Sequence, residues 1–225
     1  GRALRVSGEG YAPQGQFFAG GERVDPLRDP DAALLLRGAL VCNDARLDES
    51  ADDAGHAAWR IVGDPTEGAL VVAAAKGGLR RSEAQAALPR VQEVPFDSDR
   101  KRMTTVHRVD DPALGAVLGG TGPAPFVAFV KGAPDVILEL CSRQLSEGRG
   151  VELTDPARAA ILEQNRSMAG DALRVLAVAC RPLPAVPDEV SADSLERDLT
   201  FVGLLGMIDP PRPEVVEALK VAHGA

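Results

Sequence analysis

Apolar positions recur along this chain at two spacings, one helical and one strand-like. In "DPDAALLLRGALVCNDARL" they follow a helical period and stop at the turn-prone pair Asn43-Asp44. "VGDPTEGALVVAAAKGG" predicts a second helix whose ends are encoded locally. Asp64 suits the N-cap, Pro65 the first helical position and Glu67 the third, and Gly77-Gly78 terminate it. "FVAFVKGAPDVILELC" reads as strand, tight turn and helix, with Pro134 at the helix start, and "LTDPARAAILEQNRSMAG" as an Asp-Pro-initiated helix closed by Gly170. "ALRVSGEGYAPQGQFF" alternates and turns at Gly8, Gly10 and Gly15, which predicts a strand and hairpin. "RMTTVHRV", "ALRVLAVACRPL" and "LTFVGLLGMIDPPRPE" predict further strands, the last ending in a proline-stiffened turn. "DDPALGAVLGGTGPAP" and "PLPAVPDEVSADS" read as loops.

Strands and helices alternate without a regular βαβ rhythm, and several strands read as hairpin-linked. The expected class is α+β, a largely antiparallel twisted β-sheet flanked by helices. Hydrophobic residues make up 45% of the 225 but aromatics only 4%, so the core must rest on Ala, Val and Leu, and each Phe carries more information than usual. A net charge of -8 argues against nucleic acid as a partner, because phosphate-backbone binding needs a broad basic surface. It leaves room for a small anion held by a local basic cluster. Cys42, Cys141 and Cys180 are odd in number and far apart, and His56, His107 and His223 are equally scattered. Reduced core thiols and no metal site are expected. The longest apolar runs are too short to span a membrane or are interrupted by Arg37, and "GRALRVSGEG" has no apolar signal region. The chain opens without Met and stops inside a helical pattern, "PRPEVVEALKVAHGA", the look of a segment cut from a longer protein.

Three places join a cation to a geometry suited to a phosphate or a base. In "PFDSDRKRMTTV", Phe96 offers a flat stacking face near Arg100, Lys101 and Arg102. In "FVKGAP", Lys131 ends an apolar strand, Gly132 lets a ligand approach the backbone, and a helix N-terminus follows. In "DALRVLAVA", Arg174 interrupts an apolar strand. Each has a plainer reading: a solvated lysine, an arginine capping a sheet edge, a core phenylalanine, a solvated cationic face. Glu67 could equally be a helix-start carboxylate serving the dipole.

Read in order, "CNDA", "GDPTEGAL", "PFDSDRKRM", "VKGAPD", "ALRVLAVA" and "GMIDPPRPE" resemble the motifs of the nucleotide-binding domain of type II, calcium-pump-like P-type cation-transporting ATPases, and the resemblance runs from "GEGYAPQG" to "DPPRPE". It implies that Phe96 stacks on the adenine of ATP and that Glu67 reaches the adenine edge. Lys101 and Met103 would flank the nucleotide, and Lys131 with Gly132 would line the base of the pocket. Arg174 would meet the phosphates, with Leu176 packing nearby. Residues 1–205 would form the nucleotide-binding domain. Residues 206–225 would be the hinge and return segment, with Asp209, Pro210, Pro211 and Arg212 as the hinge itself. Some family members carry an arginine two residues after the phenylalanine; Ser98 stands there and brings no such cation.

The resemblance further implies a monomeric cytoplasmic domain of an integral membrane protein at the plasma membrane. It would work with phosphorylation and actuator domains of the same parent chain, bind ATP and ADP, and use Mg2+ in the whole pump. No "DKTGT" nucleophile motif is present, so this chain is expected to bind ATP without hydrolysing it. There is no GxxxxGK[ST] loop either, and a stacked base with a few cations implies weak binding, roughly millimolar to tens of micromolar. Two other readings predict different chemistry. Asp97-Ser98-Asp99 superficially resembles the DxD loop of haloacid-dehalogenase-like phosphatases, and the chain could instead be an interaction domain that binds no nucleotide.

Overall fold

In the computed structural model, which describes residues 2–51, 57–111, 114 and 124–208, a seven-stranded sheet organises the chain. A three-stranded N-terminal sheet, β1 (Arg5–Val6), β2 (Phe17–Ala19) and β3 (Glu22–Val24), comes first, and its β1–β2 pair is the expected hairpin. Helix α1 (Pro30–Val41) follows. The Asp29 carboxylate accepts from the amides of Asp31 and Ala32, and Pro30 opens the helix. A hairpin, β4 (Arg46–Ala51) and β5 (Ala57–Val62), leads into α2 (Pro65–Lys76). Its cap is the expected one: Asp64 accepts from Thr66 at 2.8 Å and from Glu67 at 3.1 Å, and the helix ends at Gly77. Helix α3 (Arg81–Ala87) then precedes the large sheet.

The large sheet comprises β6 (Arg90–Asp97), β7 (Arg102–Arg108), β8 (Phe126–Gly132), β9 (Cys141–Ser146), β10 (Arg149–Glu152), β11 (Arg174–Leu183) and β12 (Leu199–Met207). Their spatial order is β10-β9-β12-β11-β8-β7-β6. Every pairing is antiparallel except β9–β12. Helices α4 (Pro134–Glu139), α5 (Asp155–Gly170) and α6 (Ala192–Leu195) complete the chain. The α+β class is therefore as expected. The stretch read as a loop around Ser191 ends in α6, started by a Ser191/Ser194 capping box.

Strand alternation sorts the core by parity. Met103, Phe129, Val178 and Cys180 face one way and pack with Leu34 and Leu40 of α1 and Leu70 of α2. Val130, Ala177 and Ala179 face the other way, against Ile137 of α4 and, through partly buried Ile161, α5. On that second face Val106 and Ala128 also meet Leu195 of α6. Ala, Val and Leu dominate these clusters, and all three cysteines lie within them.

Candidate nucleotide site

The predicted residues gather at one end of the large sheet, on its α1–α2 face. The register explains why. Met103 pairs with Lys131 and Lys131 with Val178; Leu176 is two residues along β11 on the same face, and Arg174 begins that strand. The N-terminal turn of α2 lies over this end. Glu67 Oε1 accepts from Lys131 Nζ at 2.7 Å, and Arg174 donates to the Thr66 hydroxyl at 2.5 Å.

Phe96 owes its position to a break in the ladder. Val94 pairs with Thr104 and Asp97 with Arg102, so Pro95 and Phe96 together stand opposite the single residue Met103. Such a bulge turns side chains away from the regular pleat. Phe96 is 64% exposed, so the plainer reading, a core phenylalanine, fails. The exposed ring offers a flat apolar face at this end of the sheet.

Glu67 neither reaches back to its own cap nor stands free. Its Oε2 accepts from the backbone amides of Asp44 and Ala45, at 3.1 and 3.3 Å, while Oε1 holds Lys131. The Asn43–Ala45 loop is fixed from other sides as well. Asn43 donates to the carbonyls of Ala39 and Glu67, Arg81 donates to the carbonyls of Asn43 and Ala45, and Arg90 donates to those of Val41 and Asn43. The motif "CNDA" gives its residues no role in sequence alone; the loop is the platform on which Glu67 rests.

Four expectations change. Lys131 is buried, 5% exposed and ion-paired, not a solvated strand-end lysine. The space beside Gly132 is filled by the chain itself: an added Cβ would lie 2.5 Å from the Lys101 carbonyl and 2.6 Å from Arg102 Cβ. Its role is this close crossing of β7 and β8, reinforced by the Ala133 amide donating to Lys101 O at 3.1 Å. Met103 is 2% exposed, so it forms floor beneath the site and does not flank a ligand with an open side chain. Arg174 lies on an interior strand and not on an edge strand, but it extends past β8, whose pairing with β11 begins at Ala177; it pairs with Met207 of β12, and its side chain is exposed.

The cationic run also divides. Arg100 and Arg102 both donate to the buried carboxylate of Glu196, as does the Thr104 hydroxyl. Burial alone would raise the pKa of Glu196, but these three donors outweigh it and hold the carboxyl below its ordinary value. Lys101 is left exposed in the β6–β7 turn with φ +53°, and it pairs with no carboxylate among the described residues. The turn itself is built on Asp97, whose side chain accepts from the amides of Asp99 and Arg100 and whose carboxyl those bonds hold below its ordinary value. An aspartate engaged this way in a hairpin turn is not presented as a phosphatase nucleophile, and the dehalogenase-like reading loses its footing.

A concavity of about 700 Å3 lies elsewhere, between the β3–α1 connection and the β9–β10 turn. Its charges answer one another. Arg28 stands near Asp25, and Asp31 accepts from the amides of Glu147 and Gly148. The candidate site is instead an open shelf with a ring, an unpaired lysine, an exposed arginine and a buried ion pair. Among the described residues no group of His, Cys, Asp and Glu is arranged to hold a metal, and no helix is long and apolar enough to cross a membrane. The predicted hinge, Asp209 to Arg212, lies outside the described residues.

Comparison with known proteins places the chain in a family. The profile of the P-type ATPase cytoplasmic domain N family matches residues 31–214. A cation-transporting ATPase of Synechocystis is 36% identical over 231 residues, covering 100% of this chain and 23% of that protein. A calcium-transporting ATPase of Bacillus subtilis is 36% identical over 226 residues, with 100% and 23% covered. A bovine calcium-transporting ATPase, type 2C member 1, is 32% identical over 221 residues, with 97% and 20% covered. The chain thus spans about a quarter or less of the length of the relatives it matches.

Proposed function

The chain belongs to the family of P-type ATPase cytoplasmic N domains, and from that premise we propose that its sheet-end shelf binds ATP and presents the γ-phosphate to an aspartate in a separate phosphorylation domain of a cation pump. The observation that carries the reading is Phe96: a bulge lifts this ring out of the sheet beside the end of the strand that carries Lys131. A flat exposed ring stacks on a purine, and stacking of this kind is worth about 1–3 kcal/mol per base. The Glu67 carboxylate, pinned by Lys131 and two amides, still has lone pairs with which to meet the exocyclic amine of adenine, which guanine lacks at that position. Lys101 and Arg174 supply positive charge toward the phosphates, and Arg174 would leave Thr66 to do so. Lys131 and Gly132 build the base of the shelf, with Met103 and Leu176 packed beneath.

In this reading the chain does no chemistry alone. It positions a phosphoryl donor, and motion at Asp209, Pro210, Pro211 and Arg212 carries the donor to its acceptor in the whole pump, where Mg2+ would offset the charge of the phosphates. Two of the relatives named above are calcium transporters, which makes calcium the first candidate for the transported ion.

Titration of the chain with ATP, ADP and GTP, by NMR or calorimetry, tests the reading with Phe96→Ala alongside. ATP and ADP are expected to bind with dissociation constants of roughly millimolar to tens of micromolar. GTP should bind more weakly, and the variant should lose about tenfold or more. A sample that melts cooperatively yet shows no shift up to several times about 1 mM ATP would refute it.

A further inference from the structure

Glu196 lies 94 residues beyond Arg102 in sequence and on the opposite face of the sheet from the shelf, and nothing in the proposed binding role calls on it. Its side chain is 1% exposed, immediately after Leu195, which packs with Val106 and Ala128 beneath β7 and β8. Oε1 accepts from Arg100 Nη1 at 2.6 Å and from the Thr104 hydroxyl at 2.7 Å, and Oε2 accepts from Arg102 Nε. A buried carboxylate with three donors of this strength has one arrangement available, and so have the side chains that hold it.

The connection continues to the other side of the sheet. The second arm of the Arg100 guanidinium, Nη2, donates to the carbonyl of Pro95 at 2.6 Å, within the bulge and one peptide before Phe96. Arg102 Nη1 donates to the Arg100 carbonyl at 3.0 Å, which closes the turn around Lys101 and its left-handed backbone. Both exposed elements of the shelf on this side, the ring and the lysine, therefore hang from one buried carboxylate through two arginines. The bulge leaves an extra residue unpaired in the ladder, so these side-chain bonds add directly to what holds it.

We propose that Glu196 is a positioning residue for nucleotide binding, fixing the Phe96 ring for the base through Arg100 and the Pro95 carbonyl. The inference rests on the nucleotide reading of the shelf. It also makes a claim that holds without ligand, namely that Glu196 sets the order of the β6–β7 turn. With the carboxylate replaced by an amide, neither arginine keeps its charged acceptor, the guanidinium of Arg100 turns to solvent, and the bulge samples conformations in which the ring does not face the base. Affinity then falls by the fraction of time the ring is misplaced.

The test is Glu196→Gln, read by amide hydrogen exchange in the absence of nucleotide and by ATP titration in the wild-type and Phe96→Ala backgrounds. Exchange at Asp99, Arg100 and Lys101 is expected to rise about tenfold, and ATP affinity to fall about tenfold, on the scale of one charge-assisted hydrogen bond. In the Phe96→Ala background the same substitution should cost clearly less, about threefold or under, because the ring it positions is gone and only the lysine of the turn is left to misplace. A general loosening of the domain would weaken binding to the same extent in both backgrounds, which would overturn the proposal. Unchanged exchange in the turn overturns the proposal whether or not nucleotide binds, and so does raised exchange with unchanged affinity in a protein that binds ATP. If the wild type binds no nucleotide, the reading of the shelf falls and the positioning role falls with it, while the exchange data still decide whether Glu196 orders the turn. Should Glu196→Gln fail to fold, Arg100→Lys answers the same question. It keeps a charge for Glu196 but cannot span to Pro95 as well, and the same exchange and affinity changes are expected from it.

Discussion

Lys131→Met isolates the Lys131–Glu67 ion pair buried under the shelf. Lys131 and Glu67 side chains are 6% and 17% exposed and 2.7 Å apart. Removing one partner from a fully buried pair costs about 3–5 kcal/mol, chiefly because the other charge is left behind. Two features lower that figure here. Glu67 keeps two backbone donors, at Asp44 and Ala45, and it retains a little solvent. A loss of about 2–3 kcal/mol is therefore expected for Lys131→Met. Glu67→Gln should cost about the same, since its amide can offer an oxygen to Lys131 or to the two N–H groups but not to both, and the ammonium has less water to fall back on. The double variant leaves neither charge and should lie only about 1–2 kcal/mol below wild type, a coupling of about 3–4 kcal/mol. Urea unfolding of the four proteins, followed by circular dichroism, measures this cycle directly. If the two single losses simply add, with coupling below about 0.5 kcal/mol, the pair is not the buried contact described and the argument is wrong.

His107 predicts an acid limb in stability. Its Nδ1–H donates to the Leu88 carbonyl, its Nε2 accepts from Thr105, its ring meets Phe129 edge-on, and burial pushes its pKa down to about 4. The unfolded chain, at about 6.5, takes up a proton before the folded chain does, so stability is complete above that pH and falls by about 3 kcal/mol on acidification toward 4. His107→Gln should flatten that part of a urea-unfolding pH series, and an unaltered slope there would count against a buried neutral ring. Gly132→Ala should cost about 1–3 kcal/mol in urea unfolding, because its Cβ meets backbone of β7 and not a movable side-chain tip; a neutral result would mean that the β7–β8 crossing is looser than described. Cys42, Cys141 and Cys180 are nearly inaccessible, and burial pushes the last two thiols up to about 12. Labelling by a thiol reagent should therefore track global unfolding in urea and be absent before it.

What the sequence told of the fold came from places where the signal is local. Helices α1 and α2 announce themselves through Asp29-Pro30 and Asp64-Pro65, because a cap is a bond between a side chain and amides two or three residues away. Strands β8 and β11 announce themselves because both faces are buried and the runs are almost wholly apolar. The pairs β4–β5 and β9–β10 escaped notice, since "RLDESA", "CSRQLS" and "RGVE" are polar and lie in a two-stranded sheet or at the margin of the large one. A local cue to the second pair did exist. Glu147-Gly148, both with positive φ, form a two-residue turn of the kind that twists strands into a hairpin. Only the glycine belongs to the usual preference, which is why the cue is weak.

The candidate site was legible as a set of residues that the fold brings together and not as a distribution of charge. Order and spacing of motifs were enough to bring Glu67, Phe96, Lys131 and Arg174 to one end of a sheet, but counting three cations at 100–102 overstated what a ligand meets. A run of charge on a strand end says nothing of which charges are already answered. The answering carboxylate, Glu196, sits 94 residues beyond Arg102 in a stretch, "SLERDLT", where one acid among charged neighbours carries no local signal. Lys131 follows the same logic: a lysine ending an apolar strand reads as solvated until the helix bearing Glu67 is laid over it. In both cases the positive charge that the sequence offered to a phosphate is held first by a carboxylate of the fold. What stays exposed, Lys101 and the Thr66-bonded Arg174, is a smaller positive field than the motif suggests, and it implies that any anion there is held weakly.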